Sequence, residues 1–483
     1  MHIAVVQPPI RDFYQTAHRH SALGALSVKS ILEQAGHTVT LFNFPGESGS
    51  SHTPPLPGEL NYLKAFLISD EKGPVSWFRQ RKHFGPPINE CSSQILAVHP
   101  DRVMISCFAW CYAGEALLLA EDLKQRAPDI PLEIGGAGVS VNPDWFRQTG
   151  LFDEVRCGEA EKNLADFPGM SDSPPAPLTP ALSSVYDAQN QPQYSTMLTR
   201  GCPYRCLFCA NHLTHGREFR KIPVQDVLSL LEQIGITDFH LNLEDDNLLA
   251  NTYYFCDFLD SYHSRFPEAT LSAENGLDYR LLTPPLISRM IESGFTRFNL
   301  SMASSDSRIL TNQNRKGEQE QLSDVLYLLE QKKIPAVTYF ICGLEGDSIE
   351  TVSRNLLFLA AHPTEIGISP FYAVPGLPGF EQPGENGLPG LPALYCGSSV
   401  WPWNGNLSTA QLITAFRLSR FINLLKSPDR VLWPELIQKT IETKRLHTIR
   451  GTKARKTILE VPLMDTEMSE RVLSGLPETL VQG

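Results

Sequence analysis

The chain has 483 residues, 42% of them hydrophobic and 19% charged, an ordinary composition for a globular protein with room for two or three domains. Its net charge of -12 argues against a nucleic-acid-binding protein, because phosphate contacts require clustered lysine and arginine. No run approaches the ~18 apolar residues of a membrane span, and residues 1–9 lack the pattern of a secretory signal. With ten cysteines, we expect a cytoplasmic protein whose thiols bind metal.

Short apolar strands alternate with helices over residues 1–167. The predicted strands are 2–6, 38–42, 102–106, 131–134 and 154–156, and the predicted helices are 21–35 and 113–127. This alternation predicts a parallel, doubly wound, Rossmann-like sheet, whose ligands bind at the carboxyl ends of the strands. The residues at or just beyond those ends are Gln7, Pro8, Ser106, Gly135, Gly136, Gly158 and Glu159.

A second α/β unit is predicted downstream. Residues 168–193 are rich in Pro, Ser and Asp, which resists packing and predicts a linker. Six strand–helix units follow over residues 194–371, too few for a closed eight-stranded barrel, so we expect a partial (β/α)6 barrel of the TIM type. The predicted barrel strands are 194–198, 238–243, 269–273, 297–301, 336–341 and 365–371, with helices at 223–234, 253–266, 285–293, 321–332 and 349–361.

The last region, residues 372–483, is predicted to be a lid followed by helices. Residues 372–402 are rich in Pro and Gly, and loops of this length are usually functional or disordered. Their many aromatic residues argue against disorder, so we expect a lid that closes the barrel mouth and excludes water. An amphipathic helix is predicted over residues 408–425, with Ser408 as its N-cap.

Three cysteines between the first barrel strand and the first barrel helix carry the strongest chemical signal. Cys202, Cys206 and Cys209 have the spacing C-x3-C-x2-C, with no fourth cysteine nearby. Thiolates favour iron–sulfur clusters or zinc, and a structural zinc site normally closes with four protein ligands. The spacing favours a four-iron cluster with one open iron. The alternatives are three unrelated cysteines, or a zinc knuckle that takes His212 or His215 as a further ligand.

The cysteine motif, with Phe208 just before its third cysteine, resembles the signature of the radical S-adenosylmethionine (radical SAM) enzymes. The resemblance implies a 4Fe-4S cluster whose open iron is chelated by the amino and carboxylate groups of SAM. It also implies that reduction splits SAM into methionine and a 5′-deoxyadenosyl radical. An electron donor such as flavodoxin or ferredoxin is then an expected partner.

Polar residues at the ends of the barrel strands resemble the SAM-binding motifs of this family. By position, the resemblance implies SAM contacts from Phe208, Glu244 or Asp245, Glu274, Ser301, Arg315, Ile341 and Gly343. In the family, the motif after the second strand contacts the SAM amino group, and the motif at the fifth strand packs against adenine. For Glu244 and Asp245, a solvated acidic loop is the simpler alternative.

The order of elements in residues 1–167 is similar to the cobalamin-binding domain that precedes the barrel in one radical SAM subgroup. The resemblance implies cobalamin contacts from Gln7, Pro8, Ser106, Gly135, Gly136, Gly158 and Glu159. The Asp-x-His-x-x-Gly motif, whose histidine ligates cobalt in many cobalamin enzymes, is absent. A domain that has lost its cofactor has the same pattern, so that alternative stays open.

The resemblance implies a cobalamin-dependent radical SAM enzyme, with C-methylation of an unactivated carbon in a small molecule or peptide as the leading expectation. A radical SAM cyclase, rearrangement enzyme or epimerase is the first alternative. A non-catalytic iron–sulfur or corrinoid-binding protein is the second. A methylthiotransferase is disfavoured, because Cys91, Cys107, Cys111 and Cys157 do not form the additional amino-terminal cluster motif of those enzymes.

Overall fold

The amino-terminal part of the computed structural model is built on a parallel five-stranded sheet. The structure describes residues 1–13, 21–47, 54–67, 81–170, 178–186, 192–382, 390–452 and 455–482. In chain order the strands of this sheet are His2–Gln7, Thr38–Asn43, Arg102–Ser106, Leu132–Gly135 and Glu154–Val155. Helices Leu23–Gln34, Ile88–Ala97, Ala113–Arg126, Ala137–Ser140, Pro143–Gln148 and Ala160–Asn163 accompany it.

The spatial order of this sheet is 2-1-3-4-5, which is the doubly wound order of flavodoxin-like folds. Strand 2 lies on one side of strand 1, and strands 3 to 5 lie on the other. The strand order therefore reverses between strands 1 and 3, and the topological switch point lies between their ends at Gln7 and Ser106. Open α/β sheets bind ligands in the crevice at this point. The topological switch point therefore lies at the edge of the sheet where the sequence predicts ligand contacts.

The second unit is a partial barrel of six parallel strands in two hydrogen-bonded sheets. Its strands are Pro192–Thr196, His240–Leu243, Thr270–Ser272, Phe298–Ala303, Ala336–Cys342 and Glu365–Pro370. Its helices are Val224–Glu232, Thr252–Arg265, Pro284–Glu292, Ser307–Asn312, Gln319–Gln331 and Ile349–Ala360. Bridges from Leu271 to Phe295 and from Leu277 to Leu300 join the two sheets. The α/β class is confirmed, and each of the six segments predicted as a barrel strand contains a strand.

The predicted linker contributes to the barrel. Within residues 168–193, strand Ser183–Tyr186 pairs antiparallel with the first barrel strand and covers its free edge. Covering an edge satisfies backbone groups that would otherwise be open to association. Residues 171–177 and 187–191 of the linker lie outside the described part of the chain. The domain boundaries at 167, 193 and 371 stay predictions.

The carboxy-terminal region contains helices Thr409–Lys426, Pro434–Thr443, Thr466–Gly475 and Glu478–Gln482 and the hairpin His447–Thr452 with Arg455–Glu460. Ser408 caps the first of these helices in a capping box with Gln411, as predicted. The expectation that this helix is amphipathic is wrong, because its buried residues lie on every side. It packs on the last barrel strand, and its Arg417, fully buried, donates hydrogen bonds to the carbonyls of Phe66 and Pro462.

None of the helices in the described ranges combines the length and the apolar character needed to cross a lipid bilayer.

Candidate active site

The three cysteines lie on a loop that a short antiparallel ladder closes. Strands Thr199–Arg200 and Arg220–Lys221 pair at its base, with Arg200 opposite Arg220. Gly201 has a φ of +84°, and a Cβ there would lie 2.1 Å from the carbonyl oxygen of Glu218. Only glycine fits such a position, because both the backbone angle and the space exclude a side chain. The tight base fixes where the loop leaves the barrel.

Two aspartates after the second barrel strand hold this loop. The backbone N–H of Gly201 donates to Asp246 Oδ2 at 2.8 Å, and Asn211 Nδ2 donates to Asp246 Oδ1 at 3.0 Å. Asp245 is buried and accepts hydrogen bonds from the backbone N–H of Thr199 at 2.6 Å and from its hydroxyl at 2.5 Å. Burial raises the pKa of Asp245 to about 7, although these hydrogen bonds act to lower it.

The cysteine side chains share one partly enclosed environment. Cys206 is buried, and Cys202 and Cys209 are half-buried. Burial, together with the charges of Cys206 and Cys202, raises the pKa of Cys209 to about 11. Asn247 Nδ2 lies 3.5 Å from Cys202 Sγ, within reach of a hydrogen bond to sulfur. Three crowded thiols of this kind become thiolates when an electropositive centre lies between them, as in an iron–sulfur cluster.

The zinc knuckle is not formed. Among the described residues, no three His, Cys, Asp or Glu side chains converge tightly enough to hold a single metal ion. His212 Nδ1 lies 3.0 Å from the carbonyl of Cys209, and His215 Nδ1 lies 3.0 Å from Glu159 Oε1. Neither histidine therefore completes a four-ligand zinc site. A four-iron cube binds each thiolate at a different corner, so its ligands are spaced more widely than those of one ion.

The cysteines open into a cavity of about 110 Å³ at the carboxyl ends of the barrel strands. Six of the predicted site residues line it: Cys202, Cys206, Phe208, Cys209, Ser301 and Arg315. The other lining residues are Tyr204, Asn211, His212, Arg217, Asp246, Asn247, Asn275, Gly276 and Asp278. Of these, Asp246, Asn247 and Asn275 adjoin predicted residues, whereas Arg217 and Asp278 gave no signal in the sequence.

One wall of the cavity suits an anionic group. Arg315 Nη2 donates to the carbonyl of Ser301 at 2.8 Å, and Arg315 Nε is buried without a partner among the described residues. Opposite Ser301, Gly276 has a φ of +99°, and a Cβ there would lie 2.4 Å from Ser301 Oγ. The wall therefore carries a guanidinium with an unused donor. Such a donor is paired at little cost by a carboxylate ligand.

Phe208 joins this polar wall to an apolar cluster. The cluster has Ile309, Leu344 and Phe371 at its centre, with Phe208, Ile341, Phe380 and Trp403 packed around them. Gly343 follows Ile341, and its carbonyl accepts a hydrogen bond of 2.8 Å from Asn404. A Cβ on Gly343 would lie 3.2 Å from Leu412. Phe208 and Ile341 thus share one apolar surface beside the cysteine cavity, while Gly343 contacts the carboxy-terminal region.

Five predicted SAM-contact residues do not line the cavity: Ile341 and Gly343, whose surroundings are given above, and the residues of two acidic motifs, Glu244 with Asp245 and Glu274. Asp245 supports Thr199, and Glu244 Oε2 accepts a hydrogen bond of 2.9 Å from Ser21 Oγ of the amino-terminal domain. The backbone N–H of Glu274 donates to Asn242 Oδ1 at 3.0 Å. In each motif the cavity is reached by a following residue: Asp246 and Asn247 after Glu244 and Asp245, and Asn275 after Glu274.

At the carboxyl edge of the amino-terminal sheet, the predicted residues differ in their surroundings. Gln7 is 2% exposed, and its Nε2 has no partner among the described residues. Pro8 beside it is buried, and Ser106 is half-buried at the other side of the switch point. A donor left unpaired in a buried crevice favours a polar ligand there.

The three glycines of this edge differ in the space around them. Gly136 has a φ of +107°, and a Cβ there would lie 2.6 Å from the carbonyl oxygen of Cys107. A Cβ on Gly135 would lie 3.4 Å from the carbonyl oxygen of Arg156, an ordinary van der Waals contact. A Cβ on Gly158 would meet no described atom within 4 Å. Chain packing therefore requires a glycine at Gly136, whereas the space beside Gly158 is open.

The side chain of Glu159, which is predicted to contact cobalamin, pairs with residues that follow the cysteine motif. It is 7% exposed and accepts hydrogen bonds from Arg220, at 2.5 Å to Oε2 and 2.8 Å to Oε1. Burial opposes ionisation, but the hydrogen bonds from His215 and Arg220 lower the pKa of Glu159 to about 2. Its carboxylate is therefore charged and paired with the cysteine loop.

Comparisons with known proteins agree with this geometry. Residues 196–359 match the Radical SAM superfamily. The chain is 24% identical over 223 residues to the bacteriochlorophyllide d C-12(1)-methyltransferase of Chlorobaculum tepidum, covering 44% of this chain and 47% of that protein. It is 25% identical over 221 residues to the hopanoid C-3 methylase of Methylococcus capsulatus, covering 37% and 43%. The chain thus spans less than half the length of these two relatives.

Among solved structures, the fold is similar to TsrM of Kitasatospora setae, a radical S-adenosylmethionine methyltransferase with tryptophan substrate and a SAM analogue bound. The TM-score is 0.56 at 14% identity, over 78% of this chain and 74% of TsrM. A second TsrM structure, with cobalamin and a [4Fe-4S] cluster bound, gives a TM-score of 0.54. The family match, the partial barrel and the loop of three cysteines agree that residues 196–359 form a domain of the Radical SAM superfamily.

Proposed function

We propose that this chain is a cobalamin-dependent radical SAM methyltransferase that methylates a carbon of a small molecule or peptide. The observation that carries the radical SAM part is the convergence of Cys202, Cys206 and Cys209 with Arg315 on one cavity. The methyltransferase part is supported by the names of its relatives, which act on different substrates.

The residues of the cavity fit both cofactors. Cys202, Cys206 and Cys209 would hold the cluster, and Arg315 and Ser301 would bind the carboxylate of SAM. Phe208 and Ile341 offer the apolar surface for the adenine. When bound and reduced by a flavodoxin or ferredoxin, the cluster and SAM supply a 5′-deoxyadenosyl radical. The chain's own residues orient the bound SAM and exclude water from it.

Cobalamin is proposed for the crevice at the amino-terminal sheet. The switch point between Gln7 and Ser106, the unpaired Nε2 of Gln7 and the open space at Gly158 support a polar ligand there. Bound cobalamin would supply the methyl group. Gly136 lets the chain pack closely at this edge, and we assign it a supporting role.

The lid is proposed to seal the reaction space. Ser398 Oγ of this segment donates to Asp12 Oδ1 at 2.6 Å, and Tyr112 donates to Asp12 Oδ2 at 2.7 Å. The rings of Tyr395 and Trp403 are 4.5 Å apart at their centroids, which extends the apolar surface beside Phe208. The described part of the lid thus bridges the amino-terminal domain and the barrel mouth. Excluding water and stray hydrogen donors suits a radical reaction.

The first test is anaerobic reconstitution with iron, sulfide and cobalamin, followed by metal analysis, absorption spectra and SAM cleavage after reduction. We expect wild-type protein to bind about four irons per chain and to form 5′-deoxyadenosine. Cys206→Ala should lose both. Cys256→Ala, a half-buried cysteine on barrel helix Thr252–Arg265, should keep both.

The products separate the remaining functions. Methylcobalamin formed from SAM by the reduced holoprotein supports the methyltransferase, as does a substrate that gains one methyl group. An isomerised or cyclised product without methyl gain favours the other radical SAM reactions. Reconstituted, reduced protein that never cleaves SAM contradicts the proposal and favours a binding protein.

A further inference from the structure

We propose that a cluster of buried ion pairs between the two domains positions the cysteine loop against the amino-terminal sheet. The cluster, called here the interdomain clamp, consists of Glu159, Glu161, Arg200, His215 and Arg220. Its members are positioning residues, since they lie outside the residues that line the cysteine cavity.

The first half of the clamp binds the far end of the loop. Arg220 donates to both carboxylate oxygens of Glu159, at 2.5 and 2.8 Å, and to the backbone carbonyl of His215 at 2.6 Å. His215 Nδ1 lies 3.0 Å from Glu159 Oε1. A bidentate guanidinium–carboxylate pair is geometrically specific as well as strong. Glu159 therefore fixes the chain that leaves Cys209.

The second half binds the near end of the loop. Arg200, two residues before Cys202, donates to both oxygens of Glu161 at 2.9 Å and to Ser27 Oγ at 3.2 Å. The side chains of Arg200 and Glu161 are 8% and 4% exposed. Glu159 and Glu161 thus come from one turn of the amino-terminal domain. They pair with Arg220 and Arg200, which lie on opposite strands of the ladder that closes the loop.

The charges of the clamp are balanced without help from a ligand. Two carboxylates face two guanidinium groups, and all four side chains are at most 20% exposed. Buried pairs of this kind contribute little net stability but make the loss of one partner costly. We therefore assign these ion pairs the role of selecting one arrangement of the two domains.

Contacts next to the clamp support this role. Helix Asn211–Thr214, which follows the cysteines, contacts helix Ala137–Ser140 of the amino-terminal domain. The second of these helices comes directly after Gly135 and Gly136. Asp246 holds the same loop from the barrel side, through Gly201 and Asn211. The loop therefore has separate attachments to each domain. Loosening the clamp should leave the loop folded on the barrel but let it move relative to the amino-terminal sheet.

This inference rests on the proposed function in one respect: the clamp matters for catalysis because cluster and cobalamin must face each other at a fixed distance. The variant to examine is Arg220→Gln. Arg289→Gln is the matched control, because Arg289 forms a bidentate pair with Asp260 within the barrel alone. Arg220→Lys, which keeps the charge but loses the forked geometry, should fall between wild type and Arg220→Gln.

The primary measurement is hydrogen–deuterium exchange of the unloaded and cluster-loaded proteins. We expect Arg220→Gln to raise exchange at least about tenfold in residues 199–221 and 156–163, with the second barrel strand unchanged and the control like wild type. Equal exchange in Arg220→Gln and Arg289→Gln, or a uniform rise along the chain, would overturn the proposal. If Arg220→Gln does not fold, Arg220→Lys is subject to the same criteria.

The second measurement is the dipolar distance between the reduced cluster and cob(II)alamin. A narrow distribution in wild type that broadens in Arg220→Gln, at equal iron content, supports positioning, and an unchanged distribution contradicts it. Wild-type protein that binds no cobalamin would refute the proposed function, while the exchange result would still decide whether the clamp fixes the loop.

Discussion

The carboxylate of Asp246 accepts a hydrogen bond of 2.8 Å from the backbone N–H of Gly201, the residue just before Cys202. Its other oxygen accepts from Asn211, two residues after Cys209. One side chain at the end of the second barrel strand thus holds both ends of the cysteine motif. The shape of the cluster loop depends on this barrel strand as well as on the loop's own sequence.

Replacing Asp246 with asparagine should weaken cluster binding. An asparagine side chain has one carbonyl oxygen, so its amide nitrogen would face either Gly201 N–H or the amide of Asn211, both of which are donors. We expect the free energy of cluster binding to become less favourable by about 1 to 3 kcal/mol, the range typical of a hydrogen bond to a charged group. The measurement is the iron retained after reconstitution and exposure to a chelator.

Asp257→Asn is the control for this change, because Asp257 is an exposed carboxylate on barrel helix Thr252–Arg265. It should retain iron like the wild type. Equal iron retention in Asp246→Asn and Asp257→Asn would show that the loop does not need Asp246.

Gly201→Ala should prevent the loop from closing. An alanine Cβ at this position would lie 2.1 Å from the carbonyl oxygen of Glu218, so the ladder at the base of the loop must open. We expect a loss of about 3 kcal/mol or more in the free energy of unfolding and little bound iron. Gly235→Ala is the matched control, since Gly235 also has a positive φ, of +76°, but nothing within 4 Å of its Cβ position.

Gly235→Ala should lower the free energy of unfolding by only about 1 to 2 kcal/mol, the penalty of a left-handed backbone. It should leave iron binding intact. Chemical denaturation measures both losses on the same scale. Similar losses for the two variants would mean that the contact with Glu218 has no effect beyond backbone strain.

The strands and helices around the site could be predicted because their signals are local. Apolar runs ended by Gly, Pro or polar residues marked all six barrel strands to within two residues or so, as for Ala336–Cys342 against residues 336–341. The three cysteines, Ser301 and Arg315 were found because their motif and order carry the information, and the structure brings them to one cavity.

Side-chain direction after a strand could not be predicted in the same way. The acidic run after the second barrel strand was found, but Asp245 turns under Thr199 whereas Asp246 reaches the cavity. Which residue faces inward depends on how the backbone turns after Leu243, and this turn is set by contacts with the cysteine loop. Arg217 and Asp278 reach the cavity from loops, with no strand to mark them.

Partners distant in sequence were also beyond local patterns. Glu159 occupies a strand-end position typical of a ligand contact, but Arg220 and His215, 61 and 56 residues later, take its carboxylate. Helix Thr409–Lys426 was expected to be amphipathic, but its polar residues Arg417 and Ser419 are both buried. The carbonyls of Phe66 and Pro462 accept hydrogen bonds from the two terminal nitrogens of Arg417.

The pH dependence of stability should carry a contribution from Asp245. Burial raises its pKa in the folded protein to about 7, whereas the unfolded chain has a carboxyl pKa of about 3.9. Between these values the folded protein holds a proton that the unfolded chain has released. The free energy of unfolding therefore falls as pH rises from about 4 to about 7, by up to about 1.4 kcal/mol per pH unit.

Asp245→Asn removes this titration, so the stability of wild type relative to the variant should decline over the same pH window. Denaturant unfolding of both proteins at several pH values gives the difference, in which the other titrating groups cancel. Parallel curves for the two proteins would contradict a raised pKa at Asp245.

Arg315 offers a direct test of the SAM wall of the cavity. Its Nη2 is engaged with the carbonyl of Ser301, but its Nε is buried and unpaired among the described residues. A bound carboxylate would satisfy that donor, so Arg315→Lys should lose the forked contact while keeping the charge. We expect SAM to bind about tenfold to a hundredfold more weakly, equivalent to about 1.4 to 2.8 kcal/mol, with iron content unchanged. Equilibrium dialysis of SAM against the anaerobic, cluster-loaded protein measures this change in affinity.

Arg308→Lys is the control, because the Arg308 side chain is 79% exposed outside the cavity, and it should bind SAM like the wild type. If Arg315→Lys also binds SAM like the wild type, Arg315 does not contact the ligand, and the carboxylate must be placed elsewhere in the cavity.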